Sequence, residues 1–335
     1  MSAPAPLLDG IGRRISYVRI SITDRCDLRC TYCMPARPDF LPKRDMLTFD
    51  ELDRLCAMFV RNGVRRMRIT GGEPLVRPGA VDFIRGLSRH LRSGGLDEIS
   101  LTTNATQLAG HAEALAAAGV RRVNISLDTL DRAVFQRICR SDKLMAVLDG
   151  IHAAIAAGLT VRLNTVALAR DNRHELADII RFAHHHGMSA CLIETMPLGE
   201  TGEDRTDQFV SLADVRADLE RYWRLEDVDA QPGSGPARYV RVRETGGLLG
   251  FITPLSHNFC ALCNRVRLTA TGKLYLCLGH ETNADFRDAL RSGGGDADLD
   301  DLYRAALRRK PLAHHFAIGR GLAPTIQRSM AVTGG

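Results

Sequence analysis

The chain has 335 residues, 45% hydrophobic and 25% charged, enough to bury a large core as one α/β domain with an appendage. A net charge of +6 is small for this length and thinly spread, and aromatics are only 5%; this gives little reason to expect a nucleic-acid partner and hints at an anionic ligand. No apolar run reaches the roughly 18 residues of a membrane span, and the start Met-Ser-Ala-Pro-Ala-Pro lacks the basic and apolar regions of a signal peptide, so a cytoplasmic location is expected.

From residue 15 onward, apolar β-rich runs alternate with helical patterns. The predicted strands are Ile15 to Thr23, Arg66 to Thr70, Glu98 to Thr103, Arg122 to Asp128, Thr160 to Ala167 and Ala190 to Met196. Helices are predicted at Phe49 to Arg61, Gln107 to Ala118 and Ala146 to Ala157, the first with a capping box of Thr48 and Glu51 and a stop at Gly63. Six βα units imply a parallel sheet with right-handed crossovers, and six rather than eight imply an incomplete (β/α)6 TIM-like barrel. His184-His185-His186 reads as a solvated helix end rather than a metal tract. After Gly199 a polar loop leads to a helix near Leu212 to Trp223 and a linker from Gln231 to Pro236. Hairpins follow, Tyr239 to Thr253 around Gly246-Gly247 and Arg265 to Leu278 around Thr271-Gly272. The expected organisation is a barrel over residues 1–200 with a smaller α+β region over residues 201–335 packed on it.

Nine cysteines without an export signal favour metal or redox chemistry over disulfides. Cys56, Cys139 and Cys191 are scattered and read as buried thiols. The other six form two triplets. Cys26, Cys30 and Cys33 follow the first strand, at the end where barrel enzymes place their chemistry. Three soft ligands can hold a cubane cluster with one iron open to a small molecule, whereas structural zinc wants a fourth ligand that no neighbour in sequence supplies. Cys260, Cys263 and Cys277 form the second triplet, which a hairpin would close; here zinc competes, with His257 or His280 as fourth ligand. Arg68-Ile-Thr-Gly-Gly-Glu-Pro74 follows the second strand, and its glycines let backbone approach a ligand closely. Thr102-Thr-Asn104, Asn124 to Asp128 and Met196 likewise end strands.

The Cys26, Cys30, Cys33 spacing with Tyr32, and the Gly-Gly-Glu-Pro stretch, resemble the radical S-adenosylmethionine (SAM) superfamily. Within it, Phe251 to Cys260, Cys263 to Leu268 and the terminal Gly334-Gly335 resemble the GTP 3',8-cyclase family of molybdenum cofactor biosynthesis, over nearly the whole chain. The resemblance implies two 4Fe-4S clusters, one on each triplet, and SAM as cofactor. It implies reductive cleavage of SAM, hydrogen removal from the GTP ribose, and closure to (8S)-3',8-cyclo-7,8-dihydroguanosine 5'-triphosphate. SAM contacts then fall on Tyr32, Gly72, Glu73, Ser126 and Met196, with the Glu73 carboxylate accepting from an ammonium. GTP contacts fall on Arg19, Arg66, Arg68, Thr102, Arg162, Arg265 and Arg267, and Arg19 is also catalytic. The family commonly has lysine where Arg162 stands and often arginine where Cys191 stands, which alters the expected phosphate contacts. An external one-electron donor, a homodimer and hand-over to cyclic pyranopterin monophosphate synthase are expected by the same analogy. The competing readings are a peptide-modifying two-cluster radical SAM enzyme and a zinc-stabilised nucleic-acid-binding protein.

Overall fold

The computed structural model describes residues 6–228, 235–257 and 259–334. Residues 1–5, most of the expected linker, Asn258 of the hallmark stretch and Gly335 lie outside the described residues.

Six parallel strands form where the apolar runs predict them: β1 Tyr17–Ser21, β2 Arg66–Thr70, β3 Glu98–Thr103, β4 Arg122–Ser126, β5 Thr160–Ala167 and β6 Ser189–Glu194. Six helices lie between or beside them: α1 Phe49–Arg61, α2 Ala80–Arg92, α3 Ala112–Ala117, α4 Arg132–Cys139, α5 Leu144–Ala156 and α6 Leu176–His185. The predicted capping box closes α1: Glu51 N–H donates to Thr48 Oγ1 at 3.1 Å, and Thr48 N–H donates to Glu51 Oε2 at 2.7 Å. Gly63 then leaves the helix at φ +84°. The helix predicted from Gln107 is shorter, because a separate turn of 3₁₀-helix precedes α3. The histidine tract ends α6 as expected, but His184 is not simply solvated: its ring meets Thr245 Oγ1 at 2.6 Å and Leu248 O at 3.1 Å.

The C-terminal part adds α7 Leu212–Leu219, β7 Leu225–Asp227, β8 Arg238–Val242, β9 Leu248–Ile252, β10 Arg265–Leu268, β11 Lys273–Tyr275 and β12 Asn283–Asp285. Helices α8 Phe286–Arg291, α9 Asp296–Arg308 and α10 Met330–Thr333 complete it. Both predicted hairpins form, β8 with β9 and β10 with β11. They are not laid on the barrel, however, but extend its sheet. β10 pairs in parallel with β1 and β9 in parallel with β6, giving one sheet of order β12-β11-β10-β1-β2-β3-β4-β5-β6-β9-β8-β7. The extension covers two parallel edges whose backbone groups would otherwise lack partners. Among the described residues, no helix is long and apolar enough to cross a membrane.

Strand alternation sorts the side chains. One face carries Val18, Ile20, Met67, Ile69, Ile99, Leu101, Val123, Ile125, Leu163 and Leu192, all buried in one core with the helices. The other face carries Tyr17, Arg19, Arg66, Arg68, Glu98, Arg122, Asn124, Arg162 and Asn164. A parallel sheet normally buries apolar side chains on both faces; here one face is polar and cationic.

Glu194 ties the two parts of the chain together. Its fully buried carboxylate accepts from Leu212 N–H at the start of α7 (3.3 Å), from Leu255 N–H (3.1 Å) and from Ser256 N–H (3.2 Å). Glu194→Ala leaves those amides without an acceptor and is expected to cost about 3 kcal/mol of stability, with Glu194→Gln intermediate, as read from denaturant unfolding.

Candidate functional site

The register of the strands lines up the polar face in rungs. Arg267, Arg19, Arg68 and Ser100 are consecutive neighbours, and so are Arg265, Tyr17, Arg66 and Glu98 one rung below. Thr102, Asn124 and Arg162 form a further rung. A cavity opens onto this face, lined by Arg19, Arg66, Arg68, Arg162, Arg265 and Arg267 together with Met196 and all of Cys260, Cys263 and Cys277. Thus nearly every residue expected to hold GTP meets the second triplet in one place. Thr102 shares the face but is not part of the cavity wall.

The cavity wall is cationic. Among the described residues no carboxylate lines it, and Glu98, on the same face, pairs with Arg122 at 2.6 Å. Burial, reinforced by Arg267 and Arg68, drives Arg19 well below its ordinary pKa. Burial likewise lowers Arg68 and Arg267 to about 10. Buried guanidinium groups crowded on one wall favour an anionic ligand. Buried polar atoms without a partner among the described residues suit a ligand that both accepts and donates: Arg162 Nε is a donor, Asn124 Oδ1 and Asn164 Oδ1 are acceptors, and Thr102 Oγ1 can be either.

Arg162 is steered by Tyr239, whose hydroxyl accepts from Nη1 at 2.8 Å. Cys191 is fully buried, and both it and Tyr239 flank Gly250, where an added Cβ would stand 3.2 Å from Cys191 Sγ and 2.9 Å from Tyr239 Cε1.

At the second triplet, burial pushes the Cys263 thiol up, but the charges of Lys310, Arg265 and Arg13 outweigh it and the thiol is lowered overall. Arg328 braces the loop around Cys277, stacking over Tyr275 at 3.9 Å and donating to Cys277 O at 3.2 Å and His280 O at 2.9 Å. The proposed fourth zinc ligands do not join the three cysteines: neither His257 nor His280 lines the cavity, and His280 faces Thr282 Oγ1 at 3.0 Å. Three cysteines facing a cavity with a cationic wall fit a cluster having one open iron.

The first triplet sits on the loop after β1. Burial, with Cys30, Glu73 and Asp27 nearby, pushes the Cys26 thiol up to about 12; burial and then Cys30 and Cys26 push Cys33 well up. The three sulfurs repel one another as thiolates, so holding them so requires cationic charge between them, which the iron of a cluster provides. Leu28 N–H (3.4 Å) and Asn104 Nδ2 (3.6 Å) already donate to Cys26 Sγ. In space a fourth thiol is present that sequence spacing conceals: Cys139, at the end of α4, lies 3.8 Å from Cys30, sulfur to sulfur.

The glycine-rich stretch is dictated by crowding. A Cβ on Gly72 would stand 2.5 Å from Arg25 O and 2.6 Å from Asp24 O. Glu73 is fully buried and accepts from Leu75 N–H (3.0 Å), Thr103 Oγ1 (2.9 Å) and Asn104 N–H (2.6 Å). Burial raises it to about 7 despite those bonds. Its carboxylate fixes the loops after β2 and β3. The Tyr32 hydroxyl donates to Asp128 Oδ2 at 2.6 Å. Ser126 ends β4.

The tail enters the site. Ala331 backbone hydrogen-bonds Cys33, Met330 lines the cavity, and Arg267 Nη1 donates to Gly334 O at 2.6 Å. Gly334 sits at φ +74°, and any Cβ there runs into the Thr70 side chain. Sequence reading missed Tyr17, Arg122, Asn164, Lys310, Arg328 and Tyr239. Of these, Tyr17 and Asn164 are two residues from Arg19 and Arg162 on their strands, so the period of two contained the signal.

The thiol triplet at the end of the first strand of a parallel α/β sheet describes the radical SAM class. The family model of the radical SAM superfamily matches residues 20–183, and that of Molybdenum Cofactor Synthesis C matches residues 188–316. The crystal structure of Streptococcus suis SuiB bound to S-adenosylmethionine shares the fold, with a TM-score of 0.61 over 95% of this chain and 77% of that one, at 16% identity. The GTP 3',8-cyclase of Erythrobacter litoralis (strain HTCC2594) is 58% identical over 99% of this chain and 100% of its own length. That of Agrobacterium fabrum (strain C58 / ATCC 33970) is 55% identical over 99% and 95%. This chain belongs to the GTP 3',8-cyclase family.

Gly334→Ala tests the tail without touching a cysteine. The variant is expected to keep its iron and sulfide while losing about tenfold or more of its product formation, since small misplacements at a reacting centre are costly. Iron analysis and turnover on the same preparation check it.

Proposed function

We infer that this chain converts GTP to (8S)-3',8-cyclo-7,8-dihydroguanosine 5'-triphosphate in molybdenum cofactor biosynthesis. The observation that carries this reading is the cavity in which a face of buried arginines meets the second cysteine triplet. When bound, the first cluster with SAM supplies a one-electron cleavage of a carbon–sulfur bond and the radical that begins chemistry on the ribose. Cys26, Cys30 and Cys33 hold that cluster, and Cys260, Cys263 and Cys277 hold the second. Tyr32, Gly72, Ser126 and Met196 shape the SAM site, and Glu73 acts there through the loops it fixes, by way of Thr103 and Asn104.

Arg19, Arg66, Arg68, Thr102, Arg162, Arg265 and Arg267 receive GTP. Guanidinium forks suit phosphate oxygens, and their low hydration makes them the cations that tolerate burial. Arg19 stands in the rung between Arg267 and Arg68, where it aligns substrate for reaction and is catalytic on this reading. Enclosure by the sheet excludes water from the reacting centre. We further propose that residues 1–200 form the radical SAM part and residues 201–335 the part that adds the second cluster and the tail. A cytoplasmic location, an external one-electron donor, a homodimer and hand-over to cyclic pyranopterin monophosphate synthase belong to the same proposal.

The test is anaerobic incubation of the reconstituted protein with SAM, GTP and dithionite, measuring 5'-deoxyadenosine and the cyclised nucleotide together. Wild type is expected to form both. Cys277→Ser, with the first triplet intact, is expected to form 5'-deoxyadenosine with little cyclised product. An unchanged ratio of the two in that variant removes GTP from the second triplet.

A further inference from the structure

A lysine is buried behind the second triplet. Lys310, just after α9, is 5% exposed. Its ammonium donates to Arg265 O at 2.8 Å and to Leu276 O, and its third contact is Cys263 Sγ at 3.7 Å. Three ammonium protons thus meet two carbonyls and one sulfur. A buried ammonium needs a counter-charge, and carbonyl oxygens do not carry one. Of the charged groups acting on Lys310, Cys263 and Cys277 come first, followed by Arg13, which opposes it, and Asp9. Asp9 is already engaged by Arg13 Nε at 2.6 Å. The anions left to balance Lys310 are therefore the sulfurs of the triplet.

The first triplet is built differently. Its sulfurs are contacted by neutral groups, Leu28 N–H and Asn104 Nδ2 at Cys26, the Cys139 thiol at Cys30 and the Ala331 backbone at Cys33, while the charges acting on them are the carboxylates Glu73 and Asp27 at Cys26 and the Arg205 guanidinium at Cys33. Lys143, a nearby cation, is bound to Asp27 Oδ2 at 2.9 Å. Among the described residues the first site's sulfurs thus take their hydrogen bonds from neutral groups, whereas at the second a fixed ammonium contacts a sulfur directly.

We propose that Lys310 is the charge-balancing residue of the second cluster, donating to Cys263 and raising that cluster's reduction potential without affecting the first. The physical basis is that a cation and a hydrogen bond at a ligating sulfur stabilise the reduced, more negative state of an iron-sulfur cluster. The inference rests on the two-cluster reading above. Lys310 also staples Arg265 of β10 to Leu276 beside Cys277, so a purely mechanical role must be separated from an electrostatic one.

Lys310→Met removes the charge with little change in length, and Lys310→Arg keeps it. Full-length wild type and both variants are reconstituted anaerobically, their iron counted, and their clusters titrated redox-chemically by electron paramagnetic resonance, with signals assigned against Cys30→Ala. About eight irons in wild type establishes the two-cluster reading on its own, and fewer overturns that reading rather than the role of Lys310. The expected result for Lys310→Met is retained iron with the second cluster's potential shifted negative and the first unmoved, while Lys310→Arg stays near wild type. Loss of the second cluster from Lys310→Met but not from Lys310→Arg also supports the charge requirement. An unchanged or more positive second potential in Lys310→Met overturns the proposal, as does an equal shift of both clusters. Loss of the second cluster from both variants alike assigns Lys310 to shape alone.

Discussion

Burying arginines on the inner face of a parallel sheet is the constraint from which the rest of this structure follows. Each such cation loses its hydration on folding, and among the described residues no carboxylate lines the cavity they share. The arrangement is stable only because the opposite face is a continuous apolar core packed on helices, so the sheet itself does not depend on the polar face for cohesion. Free energy gained in the core holds open a cavity with a cationic wall. Such a polar face is typical of places where a sequence departs from the pattern its fold alone would choose.

The C-terminal part acts by extending the same sheet. Because β10 runs parallel to β1, Arg265 and Arg267 enter the same rungs as Tyr17 and Arg19, and Cys263 arrives immediately beside them. Because β9 runs parallel to β6, Gly250 pairs with Cys191 and brings the Tyr239 ring close to Arg162. The arginines of this wall and the second triplet are therefore placed by backbone pairing, which is more exact than docking of a separate domain. The tail completes the enclosure, touching Cys33 through Ala331 and Arg267 through Gly334.

What could be read in the sequence is what local pattern encodes. β2, β3 and β5 and helix α1 form over the predicted residues, since apolar period and capping chemistry are local. The cysteine triplets and the alternating Arg265 and Arg267 were equally legible. Pairings between distant segments were not. No spacing tells that β10 joins β1, that Cys139 reaches Cys30, or that Lys310 lies against Cys263. Glu73 shows a subtler limit: its sequence context does not reveal that its carboxylate accepts from Leu75, Thr103 and Asn104, two of them at another strand's end.

The central claim is that the arginine face is a receptor for a triphosphate, and its most direct measurement is anaerobic equilibrium binding of GTP, GDP, GMP and guanosine to the cluster-loaded protein. The account predicts that affinity falls at each phosphate removed and weakens with added salt, because charge supplies the binding. Guanosine binding as tightly as GTP, with no dependence on salt, would contradict it.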